Sequence, residues 1–177
     1  MVKYFVTLIV VISLIGSSRT YGQGRTWSIE TSLTFPIVSI YIVQISCPLS
    51  DYSNLLLGLC FQNWKDQGEA KGRAHAYTFM FGYRQFIGEK LNIEVELFPA
   101  YNNFVSSVDS TTYSGFETWI EYRVGYKLDV NDRLYIIPQP GVGHALYLQN
   151  IWPGMNRDTY IKNSLMFIPQ VALGSKY

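Results

Sequence analysis

Glu94 and Glu96 are the residues of this chain that come nearest to acid/base chemistry. Two apart on an extended segment, their side chains leave the backbone on the same side, so the carboxylates are neighbours. Glu117 and Glu121 add two more acids, and Arg84, Arg123, Lys127 and Lys162 supply the opposite charge. A carboxylate pair with separated pKa values can work as acid and base. Carboxylates interleaved with guanidinium groups also make a structural ion network, and that reading is favoured here. His75 and His144 have no serine and acid at a spacing that reads as a triad, although triads are spatial and can hide in a sequence. Gly141-Val142-Gly143-His144 is no phosphate loop, since no helix pattern follows it. Cys47 and Cys60 lack Cys-His metal spacing. No catalytic residue, cofactor or metal is therefore expected. The 14 basic and 13 acidic residues leave a net charge of +1, which gives no field for nucleic acid.

The elements that must position these charges read as strands. In Ala74–Ile87 the odd positions are His75, Tyr77, Phe79, Phe81, Tyr83, Gln85 and Ile87. The even positions are small or polar and include Arg84. Phe116–Val130 alternates as clearly, with Tyr122 and Tyr126 on the bulky face and Glu117, Glu121, Arg123 and Lys127 on the other. The same period of two recurs in Trp27–Phe35, Asn54–Trp64, Leu91–Phe104, Leu134–Leu148 and Ile161–Tyr177. Ile37–Cys47 is strand-like with an ambiguous phase. No helical stretch stands out. A soluble sandwich hides its apolar face and wets its polar one. Here large aromatics line one face and cramped polar residues the other, which suits a closed ring with lipid outside. Charged residues make up only 15% of the chain, against roughly 25% in soluble domains. Aromatics reach 16%, with 14 tyrosines.

The N-terminus reads as an export signal over residues 1–22. Lys3 is followed by the uncharged apolar run Tyr4–Gly16, too short for a bilayer-spanning helix of roughly 20 residues. Cleavage after Gly22 would leave Gln23 first; a retained anchor is the alternative. Residues 23–177 then form one domain. Gly88-Glu89 and Asn131-Asp132 are tight turns, whereas Lys65–Arg73, Val105–Tyr113 and Gln149–Tyr160 are longer and polar. Short inner turns and long outer loops alternate in this way in membrane barrels. Counting strands back from the C-terminus requires a reversal near Pro36 and gives eight. The expected fold is all-β, an eight-stranded antiparallel up-and-down transmembrane β-barrel. One long bent strand over Trp27–Cys47 is the alternative at that reversal. Such a barrel is just wide enough for side chains to fill it. Arg84, Glu94, Glu96, Glu117, Glu121, Arg123 and Lys127 form the expected interior ion network. Tyr77, Phe79, Phe81, Tyr83, Tyr122 and Tyr126 are expected to face lipid. His144 falls on the outward face and His75 near the outer rim. With a turn at Pro48–Ser53, the two cysteines sit about six residues apart along their strands, roughly 20 Å. A disulfide needs Cα atoms within about 7 Å, so two free thiols are expected.

The alternating strands, the stretch Phe61–Gln67 (FQNWKDQ) and the closing segment FIPQVALGSKY resemble small bacterial outer-membrane β-barrel proteins, the short barrels common in the Bacteroidetes. The resemblance covers Gln23–Tyr177. It implies an outer-membrane location, insertion by the barrel-assembly machinery, and Tyr177 as the C-terminal aromatic that the machinery reads. It implies contact with outer-membrane lipid and a monomer. Lipid A-modifying barrels of the deacylase type carry His-x-Ser-Asn on a late strand; here the residues are His144-Ala145-Leu146-Tyr147 and the serine is missing. The expected function is a filled, porin-like cell-envelope barrel with a structural or surface-interaction role and no enzymatic activity. A lipid A- or lipopolysaccharide-modifying enzyme and a soluble lipocalin-like binding barrel are the alternatives.

Overall fold

The computed structural model describes residues 26–67, 70–149 and 155–177. The export segment expected over residues 1–22 lies outside the described residues.

Among the described residues nine strands form one antiparallel sheet: β1 (Ser28–Ser32), β2 (Ile40–Ser50), β3 (Ser53–Gln67), β4 (Ala70–Ile87), β5 (Leu91–Ser106), β6 (Thr112–Tyr126), β7 (Leu128–Asp129), β8 (Leu134–Leu148) and β9 (Met166–Lys176). Their order is β6-β5-β4-β3-β2-β1-β9-β8-β7, and β6 also pairs with β8. The ladder therefore returns on itself, as the alternation expects. The count differs from eight by β7, two residues that follow β6 after Lys127 and pair with Tyr135 and Ile136. The alternation reads Phe116–Val130, which holds most of β6 and all of β7, as one strand.

Trp27–Cys47 holds two strands. β1 pairs antiparallel with β2 from Ser28↔Ser46 to Thr31↔Val43. A 3-10 turn at Phe35–Val38, with Pro36 in its first turn and Ser39 in the left-handed region at φ 60°, reverses the chain. Proline pre-sets the φ that such a turn needs and has no N–H to lose. At the opposite end Gly88, at φ 75°, turns β4 into β5, and the Asn131 side chain accepts the N–H groups of Arg133 and Leu134 to turn β7 into β8.

Three expectations about connections are corrected. The Lys65–Arg73 loop shrinks, because β3 runs to Gln67 and β4 starts at Ala70. Val105–Tyr113 shrinks to residues 107–111 between β5 and β6. Polar side chains mark neither as loop, since backbone ladder bonds need no apolar residue. Lys162, expected to point inward from a strand, ends a short helix, Arg157–Lys162, and is exposed. The Asn156 side chain caps this helix by accepting the Thr159 N–H at 3.0 Å.

Polarity is inverted relative to a soluble domain. Glu30, Arg84, Glu94, Glu96, Arg123 and Gln139 are buried, whereas Leu59, Tyr77, Phe79, Phe116, Val124 and Phe167 are exposed. Apolar side chains normally dominate the fully buried class and charged ones almost never join it unless paired.

Candidate functional site

The buried charges form one lattice inside the ring. Arg84 on β4 forks onto Glu30 of β1: its Nη1 donates to Oε1 at 2.6 Å and its Nη2 to Oε2 at 2.8 Å. Its Nε donates to Glu94 Oε2 at 2.6 Å. Glu94 is the bridge, because its other oxygen accepts from Arg123 Nη1 at 2.7 Å. Arg123 also binds Glu96 and Glu121. Neutral groups complete the shell. Gln44 Nε2 donates to Glu30 at 2.9 Å, the Tyr135 hydroxyl donates to Glu30 at 2.6 Å, and Gln139 links Glu94 to Gln170. β1, β2, β4, β5, β6, β8 and β9 are thereby tied across the interior. A two-pronged guanidinium–carboxylate contact fixes orientation as well as charge.

Five of the seven residues expected in the ion network are in it: Arg84, Glu94, Glu96, Glu121 and Arg123. Two are not. The Glu117 carboxylate accepts a hydrogen bond from Asn102 Nδ2 at 3.3 Å and among the described residues meets no guanidinium. Lys127 lies over the rings of Tyr135 and Phe86, 4.7 and 5.9 Å from their centroids, and among the described residues makes no ion pair. Parity gives each the correct face, but both sit too far along the strand from the lattice. Glu30 is the residue that sequence reasoning missed. A signal was present, since Glu30 is the single charge in Trp27–Phe35, on its polar face; a lone acid turned into a closed ring requires a base.

The interior is filled by this lattice at one end only. Towards the β3–β4 and β5–β6 connections it opens into a cavity of about 510 Å³, which corrects the expectation of an interior packed throughout. Phe35, Ile42, Cys60, Phe98 and Ile168 contribute buried apolar surface to it, and Glu117 and Glu121 reach its wall. At the ionic end a pocket beside Arg84 and Lys127 measures about 40 Å³. Among the described residues, no three His, Cys, Asp or Glu side chains are grouped to hold a metal ion.

The aromatic face turns outward. Tyr77, Phe79, Phe81 and Tyr126 are 61%, 51%, 40% and 46% exposed, and Tyr83 and Tyr122 are half-buried on the same face. This is opposite to a soluble binding barrel, which needs its aromatics around the ligand. Gln85 shares their parity but is buried, because its amide donates to the Tyr52 carbonyl at 2.9 Å beneath the β2–β3 turn. His75 stacks near Phe61 and His144 near Tyr122, each half-buried. Cys47 and Cys60 are free thiols, opposite Leu55 and Ile42. Tyr177 stacks on Trp27 at 4.8 Å, and its N–H donates to the Trp27 carbonyl, so the last residue holds the first strand.

No family model matches the sequence, and no curated protein matches it. Among solved structures, the chain is similar to the N-terminal β-barrel domain of Pseudomonas aeruginosa OprF, with a TM-score of 0.51 and 13% identity, over 86% of this chain and 98% of that one. At that identity the likeness is one of fold, and the fold shared is that of a β-barrel domain.

Proposed function

We propose that this chain is an integral outer-membrane protein, an eight-stranded transmembrane β-barrel with a structural or surface-interaction role in the cell envelope. In this reading β6 and β7 are one stave interrupted at Lys127. The observation that carries it is the inverted polarity. Arg84 and Arg123 are 1% and 2% exposed, while Leu59 and Phe167 are 67% and 68% exposed. A closed ring leaves no long edge of unpaired backbone, which is the condition for strands to stand in hydrocarbon. The likeness to the OprF barrel domain supports the same architecture. The short connections at residues 51–52, 88–90 and 130–133 would then face the periplasm, and the opposite rim would face outward. Export through a cleaved signal over residues 1–22, delivery by the assembly machinery through Tyr177, and function as a single copy belong to this proposal.

The test is extraction of isolated membranes with alkaline carbonate, combined with electrophoresis of heated and unheated protein. Retention in the membrane and a heat-dependent change in mobility are expected. A chain recovered in the soluble periplasmic fraction would end the proposal.

A further inference from the structure

β1 is only five residues long, and its shortness leaves a notch in the wall. The last β1–β9 pair is Ser32↔Ala172, after which Leu33 N–H donates to the Val171 carbonyl at 2.8 Å and Val171 N–H to Thr34 Oγ1 at 3.2 Å. Beyond that point β9 continues from Gln170 back to Met166, and β2 from Ile42 back to Ile40, and among the described residues no strand stands between them. Among the described residues the 3-10 turn Phe35–Val38 occupies the gap. Val171 aims both its backbone groups at β1, so Pro169, two residues away, faces the same side. It has no N–H to leave unpaired there, which is how proline is tolerated at an edge.

The notch lies well below the rim. Ile40 pairs with Gln62, and β3 runs five residues further to Gln67, roughly 16 Å along the strand. The composition fits that depth. Thr31–Ser50 and Asn163–Ser175, which border the notch, contain no charged residue. Ile37 and Val38 at the tip of the turn are 82% and 58% exposed, as is Phe167 across from them at 68%. The turn also satisfies its own donors: Phe35 N–H to Ser32 Oγ, Ile37 N–H to the Thr34 carbonyl, and Ser39 N–H to the Pro36 carbonyl. Hydrocarbon requires that self-sufficiency of backbone, and water does not.

The 510 Å³ cavity reaches this notch. Its exposed lining is Ile37, Val38, Met166, Phe167 and Pro169, all on the flank, and its inner lining includes Phe98 and Trp119. The volume is in the range of small-molecule sites, about 300–1,000 Å³. We infer that the notch is a lateral port through which one acyl chain of a surrounding membrane lipid enters the cavity. The chain leads and the head group stays outside, because Glu117 and Glu121 on the inner wall oppose an anionic group. The inference rests on the membrane reading above.

The experiment uses the full chain with Trp27, Trp64 and Trp152 replaced by Phe, leaving Trp119 as reporter. The protein is inserted into phosphatidylcholine vesicles with or without bromine on one acyl chain, and carbonate resistance is checked first. Brominated chains should remove most of the Trp119 emission. Ala100→Phe or, should that variant not insert, Thr78→Leu fills the cavity and should restore the emission. Insertion without quenching, or equal quenching in a filled and inserted variant, overturns the port while leaving the membrane reading intact. Cross-linked dimers without quenching would assign the notch to a second copy and overturn it as well. Loss of carbonate resistance in the reporter protein itself would sink the membrane reading and the port with it.

Discussion

The two ends of the ring's interior solve the same geometric problem in opposite ways. At the Gly88 end, four carboxylates and two guanidinium groups fill the space: Glu30, Glu94, Glu96 and Glu121 with Arg84 and Arg123. At the other end, Phe35, Ile42, Cys60 and Phe98 line a void instead. The ionic end gains rigidity because every strand that contributes is held by directional bonds. It is also brittle, since losing one member leaves its partners charged and buried. The apolar end tolerates change, because nothing there depends on one partner.

Arg84→Met breaks this contrast at its strongest point. It leaves Glu30 buried with no cation and takes from Glu94 one of its two guanidinium partners, and removing one partner of a buried ion pair costs about 3–5 kcal/mol. The matched change at the apolar end is Thr78→Val. Among the described residues Thr78 Oγ1 is buried with no partner beyond the weak Cys60 thiol opposite it, and an unsatisfied buried hydroxyl costs roughly 1–3 kcal/mol. Thr78→Val should therefore be neutral or stabilising. Urea unfolding from lipid vesicles, followed by tryptophan emission, measures both. Equal losses in the two variants would erase the distinction between the ends.

Phe79→Arg tests the wall between interior and lipid. Phe79 is near the middle of β4, opposite Leu59, and is 51% exposed. A cation on the lipid face near the midplane costs about 2–4 kcal/mol. The same unfolding assay should show that loss in vesicles. A variant as stable as the parent would mean that water, and not lipid, covers this face.

The lateral faces of the ring were legible because a period of two is written into each strand. Arg84, Glu94 and Arg123 share a face by parity alone. Parity carries no height, however, and height decides who pairs. Glu30 reaches Arg84 across 54 residues of chain because β1 and β4 face each other over the ring. Glu117 and Lys127 have the right parity at the wrong height. The cavity was not legible at all, because it arises where β1 stops early and the 3-10 turn takes over, and alternation continues through Trp27–Phe35 without a break. The helix Arg157–Lys162 had a local signature in Asn156 and Asp158, an N-cap followed by an acid in the first turn, which the apolar alternation of the following segment masked.

The smallest predicted effect concerns how tightly each end is packed. Gly174 on β9 lies directly opposite Tyr135 on β8, and a Cβ there would overlap the Tyr135 ring. The ring lies across the glycine so that its hydroxyl can reach both Ser28 Oγ and Glu30 at 2.6 Å. Gly174→Ala must push the ring away, and the movement is transmitted to Glu30 and thence to Arg84. Overpacking of this kind costs about 1–3 kcal/mol. Ala100→Val adds two methyl groups beside the cavity and has room for them, so it should cost less than Gly174→Ala although it adds more volume. Unfolding midpoints of the two variants in the same vesicles decide the matter. If Ala100→Val were the more damaging, the apolar end would be the tightly packed one, and the contrast drawn between the two ends would be reversed.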